Sequence, residues 1–166
     1  MSIQFVVEDG TGKSTATSYL TVAEFRQYWE NRGESYPEDT PPATTEDDKI
    51  KGYLNSATEF LDITFRFKGI KVKDDQALEF PRYGVMKRNG RVVDSDIVPT
   101  DIKNACAYLA RMKAEFDLNV VDNNIRSESY GPVSVTYAGG KSLSFPYVSK
   151  LLADYVVSGN AIIRVN

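Results

Sequence analysis

The strongest constraint on the fold is an amphipathic stripe between residues 45 and 65. Its apolar residues recur at three- and four-residue spacing: Ile50, Tyr53, Leu54, Ala57, Phe60, Leu61 and Phe65. This period predicts a helix with one apolar face. Three consecutive acids, Glu46, Asp47 and Asp48, would occupy its first turn, where negative charge suits the positive end of the helix dipole.

Three further helices are predicted from capping residues and periodicity. Thr21 is a good N-cap for a helix over about 22–31. Pro99 suits the first turn of a helix that continues to about residue 118, because its missing N–H has no partner there in any case. Pro146 opens a last, shorter helix, which a Ser-Gly-Asn stop ends at residues 158–160.

Short β-prone segments lie between and beyond these helices. Asn89-Gly90 indicates a tight hairpin turn, because these residue types readily adopt positive φ angles. Alternating residues over 133–137 and the returning pair Leu143 and Phe145 predict a second hairpin, whereas 120–129 is interpreted as a loop. The tail after residue 160 is short, apolar and β-prone.

These elements predict a mainly α-helical single domain over residues 1–166, a short helical bundle with inserted β-hairpins. We expect an extended N-terminal arm over 1–20 and a C-terminal tail over 158–166. The N-terminus lacks the basic and apolar regions of a signal peptide, and no apolar run reaches the length of a membrane span. We therefore expect a protein made in a cytoplasm, with no membrane partner.

The available residue types argue against an enzyme. The chain contains no histidine, so the commonest general base and metal ligand is missing. Its single cysteine, Cys106, lies on the apolar stripe of the third predicted helix and is interpreted as a small buried hydrophobe. The acids at 46–48 and 74–75 lack the spacing of a calcium-binding loop. We predict no catalytic residue, no metal and no cofactor.

Residues 10–15, Gly-Thr-Gly-Lys-Ser-Thr, partly match a phosphate-binding loop. That motif requires a glycine five positions before Gly12, where this chain has Val7. It also requires a helix N-terminus directly after the lysine, and the next helix signal comes only at Thr21. A surface turn is therefore the preferred interpretation of this segment.

The charge balance argues against dedicated DNA binding. The chain has 23 acidic and 20 basic residues, a net charge of −3, whereas proteins that grip the DNA backbone usually present a basic face. One local group of candidate DNA-facing residues remains: Lys68, Lys71, Lys73, Arg82, Lys87 and Arg88. Binding through this group is predicted to be weak, independent of sequence and lost at moderate salt.

Several segments, in order along the chain, resemble one family of phage proteins. They are Val6–Gly12, Ser18–Glu24, Ala57–Asp62, Gln76–Arg82 with Gly84-Val85, Ile97–Pro99 and Gly131–Tyr137. The set resembles the small head–tail adaptor, or head-completion, proteins of tailed bacteriophages, which are often catalogued as DnaT-like. The resemblance covers nearly the whole chain. It departs from the family pattern at Phe80, where tryptophan is expected, and in the tail beyond the last helix.

The resemblance implies a structural virion protein that joins the phage portal to the tail and lines the DNA exit channel. It implies a homo-oligomeric ring, expected to be a dodecamer, with a portal protein and a tail-completion or tail-terminator protein as partners. Packaged DNA would pass through the lumen without specific binding, which a net negative protein favours. The implied location is the head–tail interface of the virion, after assembly in the bacterial cytoplasm.

Two other functions stay open. The DnaT-like label implies a single-stranded DNA-binding replication accessory protein, which requires Arg66 and the basic group above to form one continuous groove with exposed aromatics between them. A small hydrolase that uses carboxylates ranks last, because the sequence offers no histidine and no persuasive pair of acids.

The predicted contacts with other chains lie in the second hairpin and the tail. Exposed β-prone segments invite pairing with another chain. We predict that these residues lie against a neighbouring copy, the portal or a tail protein: Val133, Val135, Tyr137, Phe145, Ile162, Ile163 and Val165. The alternative is that the tail folds back as an edge strand on its own hairpin.

Overall fold

The computed structural model describes residues 3–34, 46–115 and 145–157, together with the backbone of 127–130 and 133–136. Its helices are α1 (Val22–Glu30), α2 (Glu46–Thr64), α3 (Thr100–Glu115) and α4 (Pro146–Leu152), and its strands are β1 (Ile70–Lys71), β2 (Arg82–Tyr83), β3 (Ser127–Tyr130) and β4 (Val133–Thr136). Strand β1 pairs antiparallel with β2, and β3 with β4. The predicted fold class, mainly α-helical with small β-hairpins, is confirmed.

Helix α1 begins where its cap was predicted. The Glu24 N–H donates to the Thr21 hydroxyl at 3.1 Å, and the Thr21 N–H donates to the Glu24 carboxylate at 2.8 Å, which completes a capping box. The reciprocal bonds satisfy two N–H groups that a helix start otherwise leaves unpaired. Phe25, Tyr28 and Trp29 form the buried face of this helix.

The core lies between α2 and α3, which form the principal helix pair. Leu54, Ala57 and Leu61 of α2 are fully buried. So are the α3 residues Ile102, Ala105, Cys106 and Leu109. Burial of each leucine stabilises the fold by about 2 kcal/mol. The two apolar stripes read from the sequence are therefore the two halves of one core.

None of the helices in the described part of the chain is long and apolar enough to cross a membrane.

The N-terminal segment is irregular, as expected, and it packs onto the domain along its length. The Glu8 N–H donates to the Ser18 carbonyl at 2.9 Å, and the Thr17 N–H donates to the Val6 carbonyl at 2.7 Å. Tyr19 is fully buried. Ala16 and Leu20 are buried with it, so the end of this segment contributes side chains to the core.

The predicted end of the last helix is wrong. Helix α4 ends at Leu152, because a turn over 153–155 brings the chain back to pair with the segment after α2. The Lys68 N–H donates to the Tyr155 carbonyl at 2.8 Å, and the Val157 N–H donates to the Arg66 carbonyl at 2.9 Å. Pairing between residues 87 and 91 positions apart in the sequence therefore overrides a local helical pattern.

The interpretation of residues 127–129 as a loop is wrong, whereas the predicted pairing of 133–137 with the segment at Leu143 lies outside the described residues. Strand β4 pairs with β3, a polar segment that was interpreted as a loop, and Tyr130 lies opposite Val133. Phe145 precedes α4 as its N-cap and lies in the core, with its ring 5.6 Å from that of Phe60. An alternating pattern identifies a strand but does not select its partner, and this register leaves only Gly131-Pro132 between the two strands.

Candidate functional site

The region between α2 and α3 forms a central hairpin of three extended segments, 68–71, 82–86 and 91–93. Ile70 lies opposite Tyr83, and Met86 lies opposite Val92. The Val93 N–H donates to the Val85 carbonyl at 2.9 Å. The turn predicted at Asn89-Gly90 is confirmed, with Gly90 at φ 81°. Segment 82–86 is therefore the middle member of a small, irregular antiparallel sheet.

The two sides of the central hairpin differ in exposure. Val85 and Val93 face inward and are buried, as is Arg82. Gly84, at φ 74°, adds one residue to the alternation, so that both Tyr83 and Met86 face outward. We call four side chains the outer hairpin face: Ile70, Tyr83, Met86 and Val92, which are 68%, 64%, 54% and 64% exposed.

Arg82 does not face DNA, so this prediction is wrong. Its side chain is 8% exposed, and the guanidinium donates to the carbonyls of Lys68 at 2.8 Å and Gly69 at 2.7 Å. It also donates to the Glu79 carbonyl and forms an ion pair with the Glu79 carboxylate. The planar fork of donors holds β1 and the 79–82 segment together, and therefore acts as a structural brace.

The other predicted basic residues are mostly engaged within the chain. The Lys68 ammonium donates to the carbonyls of Asp154 at 2.8 Å and Met86 at 3.3 Å. Three more form ion pairs: Lys71 with Glu79 at 3.3 Å, Lys87 with Asp101 at 3.8 Å and Arg88 with Asp154 at 2.9 Å. Lys73 is exposed. Five of the six predicted cations therefore have a hydrogen-bond or ion-pair partner within the chain.

Beside the hairpin lies a cleft of about 520 Å³, with Ile63, Arg66 and Val157 at its wall. Asp62, which also lines it, accepts hydrogen bonds from the Tyr19 hydroxyl at 2.5 Å and from the Glu79 N–H at 3.0 Å. Burial raises the pKa of Asp62 to about 6, although these hydrogen bonds act in the opposite direction. The carboxyl therefore ties the N-terminal segment, α2 and the central hairpin together.

The loop that partly matches a phosphate-binding motif holds a carboxylate of its own. Glu8 is 1% exposed, and its carboxylate accepts the N–H groups of Gly10, Gly12 and Lys13 at 2.8–2.9 Å. The Lys13 ammonium forms an ion pair with Asp9 at 2.9 Å. The backbone donors that would cradle a phosphate are already used, so the loop is a structural turn.

An aromatic cluster between α1, α3 and α4 was not identified from the sequence. The rings of Trp29 and Tyr108 stack at 6.3 Å, and those of Tyr108 and Tyr147 lie 4.8 Å apart. The Arg111 guanidinium lies 4.4 Å above the Trp29 ring. Tyr108 lies off the stripe from which α3 was predicted. Its spacing of four residues from Met112 is the signal that could have placed it in the core.

The predicted buried role of Cys106 is confirmed. Its sulfur lies 3.3 Å from the Thr58 hydroxyl oxygen, and burial raises the pKa of its thiol to about 12. A thiol held in this state is a poor nucleophile. In the part of the chain that the structure describes, no group of three or more histidine, cysteine or acidic residues is placed to hold a metal ion.

The predicted partner contacts divide into three groups. Val133 and Val135 lie in β4, of which only the backbone is described. Phe145 is 3% exposed, so its ring has no free surface for a neighbouring chain and that prediction is wrong. Tyr137, Ile162, Ile163 and Val165 lie outside the described residues.

The fold and its surface define a small, mainly α-helical protein whose central hairpin presents an apolar face. Residues 3–166 match the protein family described as "Putative DnaT-like ssDNA binding protein", and the chain belongs to that family. No curated protein and no solved structure matches it.

Proposed function

We propose that this protein is a structural assembly protein of a tailed bacteriophage, a ring-forming head–tail adaptor that joins the portal to the tail and lines the DNA exit channel. The observation that carries the proposal is the outer hairpin face, which is apolar and exposed, while Lys71, Lys87 and Arg88 beside it form ion pairs within the chain. Contiguous exposed apolar surface is typical of protein contacts, not of nucleic-acid contacts. The resemblance to adaptor proteins along the sequence supports the same conclusion.

The packing of the helices and the charge of the chain support the proposal. The α2–α3 core, braced by Arg82 and by Asp62, supplies a rigid wedge from which short hairpins project. A chain with a net charge of −3 repels the DNA backbone, so packaged DNA slides through a ring of such chains without adhering. The ring, the portal, the tail protein and the virion location are parts of this same proposal.

The tail supplies a direct test of the role in assembly. We expect a virus whose protein lacks residues 160–166 to produce filled heads without tails, because the apolar side chains of this segment form contacts with another chain. The matched control replaces Ile162, Ile163 and Val165 by serine at unchanged chain length. This control should reproduce the defect if the apolar side chains make the contact. It should dock tails normally if only the length of the chain is required. Normal docking of tails in both variants, scored by electron microscopy, would contradict the proposal.

The second candidate is single-stranded DNA binding, which the description of the family favours. The exposed aromatic ring of Tyr83 is the side chain of the central hairpin best suited to stack on a base. Fluorescence anisotropy with an oligothymidylate at increasing salt separates the two functions. We expect weak binding that is lost at moderate salt, whereas tight binding at physiological salt that Tyr83→Ala weakens at least tenfold would establish the second candidate.

A further inference from the structure

We infer that loop 8–13 is a carboxylate-binding site whose occupant is the chain's own Glu8 side chain. We infer also that this bound carboxylate positions the connector over residues 73–81, which joins β1 to β2. The role is independent of the proposed function. It explains why the loop resembles a phosphate-binding motif, because both bind an oxyanion through backbone N–H groups.

The loop presents its donors to both oxygens of the bound group. The Gly10 and Gly12 N–H groups donate to one carboxylate oxygen of Glu8, both at 2.9 Å. The Lys13 N–H donates to the other oxygen at 2.8 Å. Gly10 at φ 100° and Gly12 at φ 71° have the left-handed backbone conformation that turns N–H groups toward one side of a concave loop.

The site is suited to a carboxylate and not to a neutral group of the same shape. Glu8 is 1% exposed, so its carboxylate depends on the donors of the loop and not on water. Hydrogen bonds to a charged acceptor are stronger than those between neutral groups. An amide in this position would direct its NH₂ group at a backbone N–H and leave both donors unpaired.

The filled loop lies against the connector. The Ala77 N–H donates to the Lys13 carbonyl at 3.0 Å. Gly12 lies beside Gln76, because a Cβ added to this glycine would be 3.2 Å from the Gln76 Oε1 atom. Gln76 is 4% exposed and is hydrogen-bonded to the backbone of the connector. The bound carboxylate sets the conformation of the loop, and the loop sets the position of the connector.

The opposite side of the loop is enclosed by the segment that follows the central hairpin. A side chain at Gly10 would collide with the Asp96 carbonyl. With its donors occupied and its occupant buried, the loop accepts a free oxyanion only when the Glu8 carboxylate is absent. A variant without this carboxylate should therefore bind a small carboxylate from solution.

Two buried polar side chains make a matched pair for the test. Glu8→Ala removes the atoms of an acetate ion from the loop, and Gln76→Ala removes the atoms of acetamide from the adjoining connector. Each variant and the unmodified full chain are unfolded with urea at pH 7, and unfolding is followed by circular dichroism. The solutions contain acetate, acetamide or chloride at constant ionic strength.

We expect acetate at about four times its dissociation constant to raise the folding equilibrium constant of Glu8→Ala roughly fivefold, because it binds the folded chain alone. The unmodified chain and Gln76→Ala should stay near their stability in chloride. Failure of acetate to stabilise Glu8→Ala, or to restore its folding if the variant is unfolded, would overturn the inference. So would an equal gain from acetamide, or an equal gain by Gln76→Ala in acetate.

A second variant keeps the shape of the side chain and needs no added ligand. Glu8→Gln should lower the folding equilibrium constant about tenfold or more, because its NH₂ group faces the Lys13 N–H. Acetate should not restore this loss, since the loop stays filled. Stability equal to that of the unmodified chain would show that the loop does not select a carboxylate.

Hydrogen exchange tests the coupling to the connector. In Glu8→Ala the Ala77 amide should lose more protection than the amide of Leu109 in the core of α3, and acetate should restore the difference. Equal loss of protection at Ala77 and Leu109 would indicate a uniform loss of stability and would overturn the positioning role of Glu8.

Discussion

On the inner side of the central hairpin, Arg82 is 8% exposed and donates to the Lys68 and Gly69 carbonyls, whereas on the outer side Ile70 is 68% exposed. The usual distribution places charge outside and apolar groups inside. In this strand pair the distribution is reversed between adjacent residues, because Arg82 is buried and Tyr83 is exposed. Glu8, which is buried, and Asp62, which is partly buried, extend the pattern, since both carboxylates accept hydrogen bonds from backbone N–H groups.

The difference separates groups that hold the fold together from apolar groups that remain at the surface. A buried charge stabilises only when its hydrogen bonds are complete, and those of Arg82 and Glu8 are supplied within the chain. An exposed apolar pair stabilises nothing in the isolated chain and gains free energy only when another surface covers it. The inner side therefore determines the geometry of the hairpin, and the outer side contributes little to the stability of the isolated chain.

The largest expected effect comes from removing the inner brace. Arg82→Ala should lower the free energy of unfolding by about 3 kcal/mol, because the Lys68, Gly69 and Glu79 carbonyls lose their donor and the Glu79 carboxylate its partner. Urea titration followed by circular dichroism measures the change. The matched control is Arg88→Ala, whose 69% exposed side chain forms a surface ion pair and should contribute little. Equal losses of stability from the two substitutions would contradict the structural role assigned to Arg82.

A second test uses the pH dependence of stability. Because burial raises the pKa of Asp62 to about 6 from an ordinary value of 3.8, the folded chain holds this proton more tightly than the unfolded chain does. The corresponding stabilisation is present below about pH 4 and is lost as the pH rises through 6. Relative to Asp62→Asn, the unfolding free energy of the unmodified chain should fall on the order of 2 kcal/mol across this window. If the unfolding free energies of the two proteins changed in parallel from pH 4 to 7, the pKa of Asp62 would not be raised in the folded chain.

The smallest expected effect comes from a matched pair of valines. Val85 is fully buried and Val92 is 64% exposed, on the two sides of the same hairpin. Val85→Ala should cost about 2 kcal/mol of unfolding free energy through the lost contacts and the cavity left behind. Val92→Ala should stay within about 0.5 kcal/mol of the unmodified chain. A large cost at Val92, measured by the same titration, would mean that the outer face is covered within the monomer.

The sequence by itself determined the helices and the core. The stripes through Leu54 and Ile102 have helical spacing, and Thr21 and Gly90 carry local signals in their own chemistry, so short-range physics was sufficient. It also determined that Cys106 is buried. It could not predict which of the basic residues between 66 and 91 face solvent, because period and charge are the same for Arg82 and Arg88.

The tertiary structure decided the rest, and the reason is the range of the interactions. Arg82 is buried because carbonyls 13 and 14 residues away converge on its guanidinium, and α4 ends at Leu152 because its continuation pairs with Phe67. The Glu8 carboxylate accepts the N–H groups of a loop whose glycines, judged from the sequence alone, resemble a phosphate-binding site. The outer hairpin face depends in part on the pairing of Ile70 with Tyr83, 13 residues apart, which no turn signal predicts. Long-range pairing of this kind depends on the whole chain, so no local pattern of residues records it.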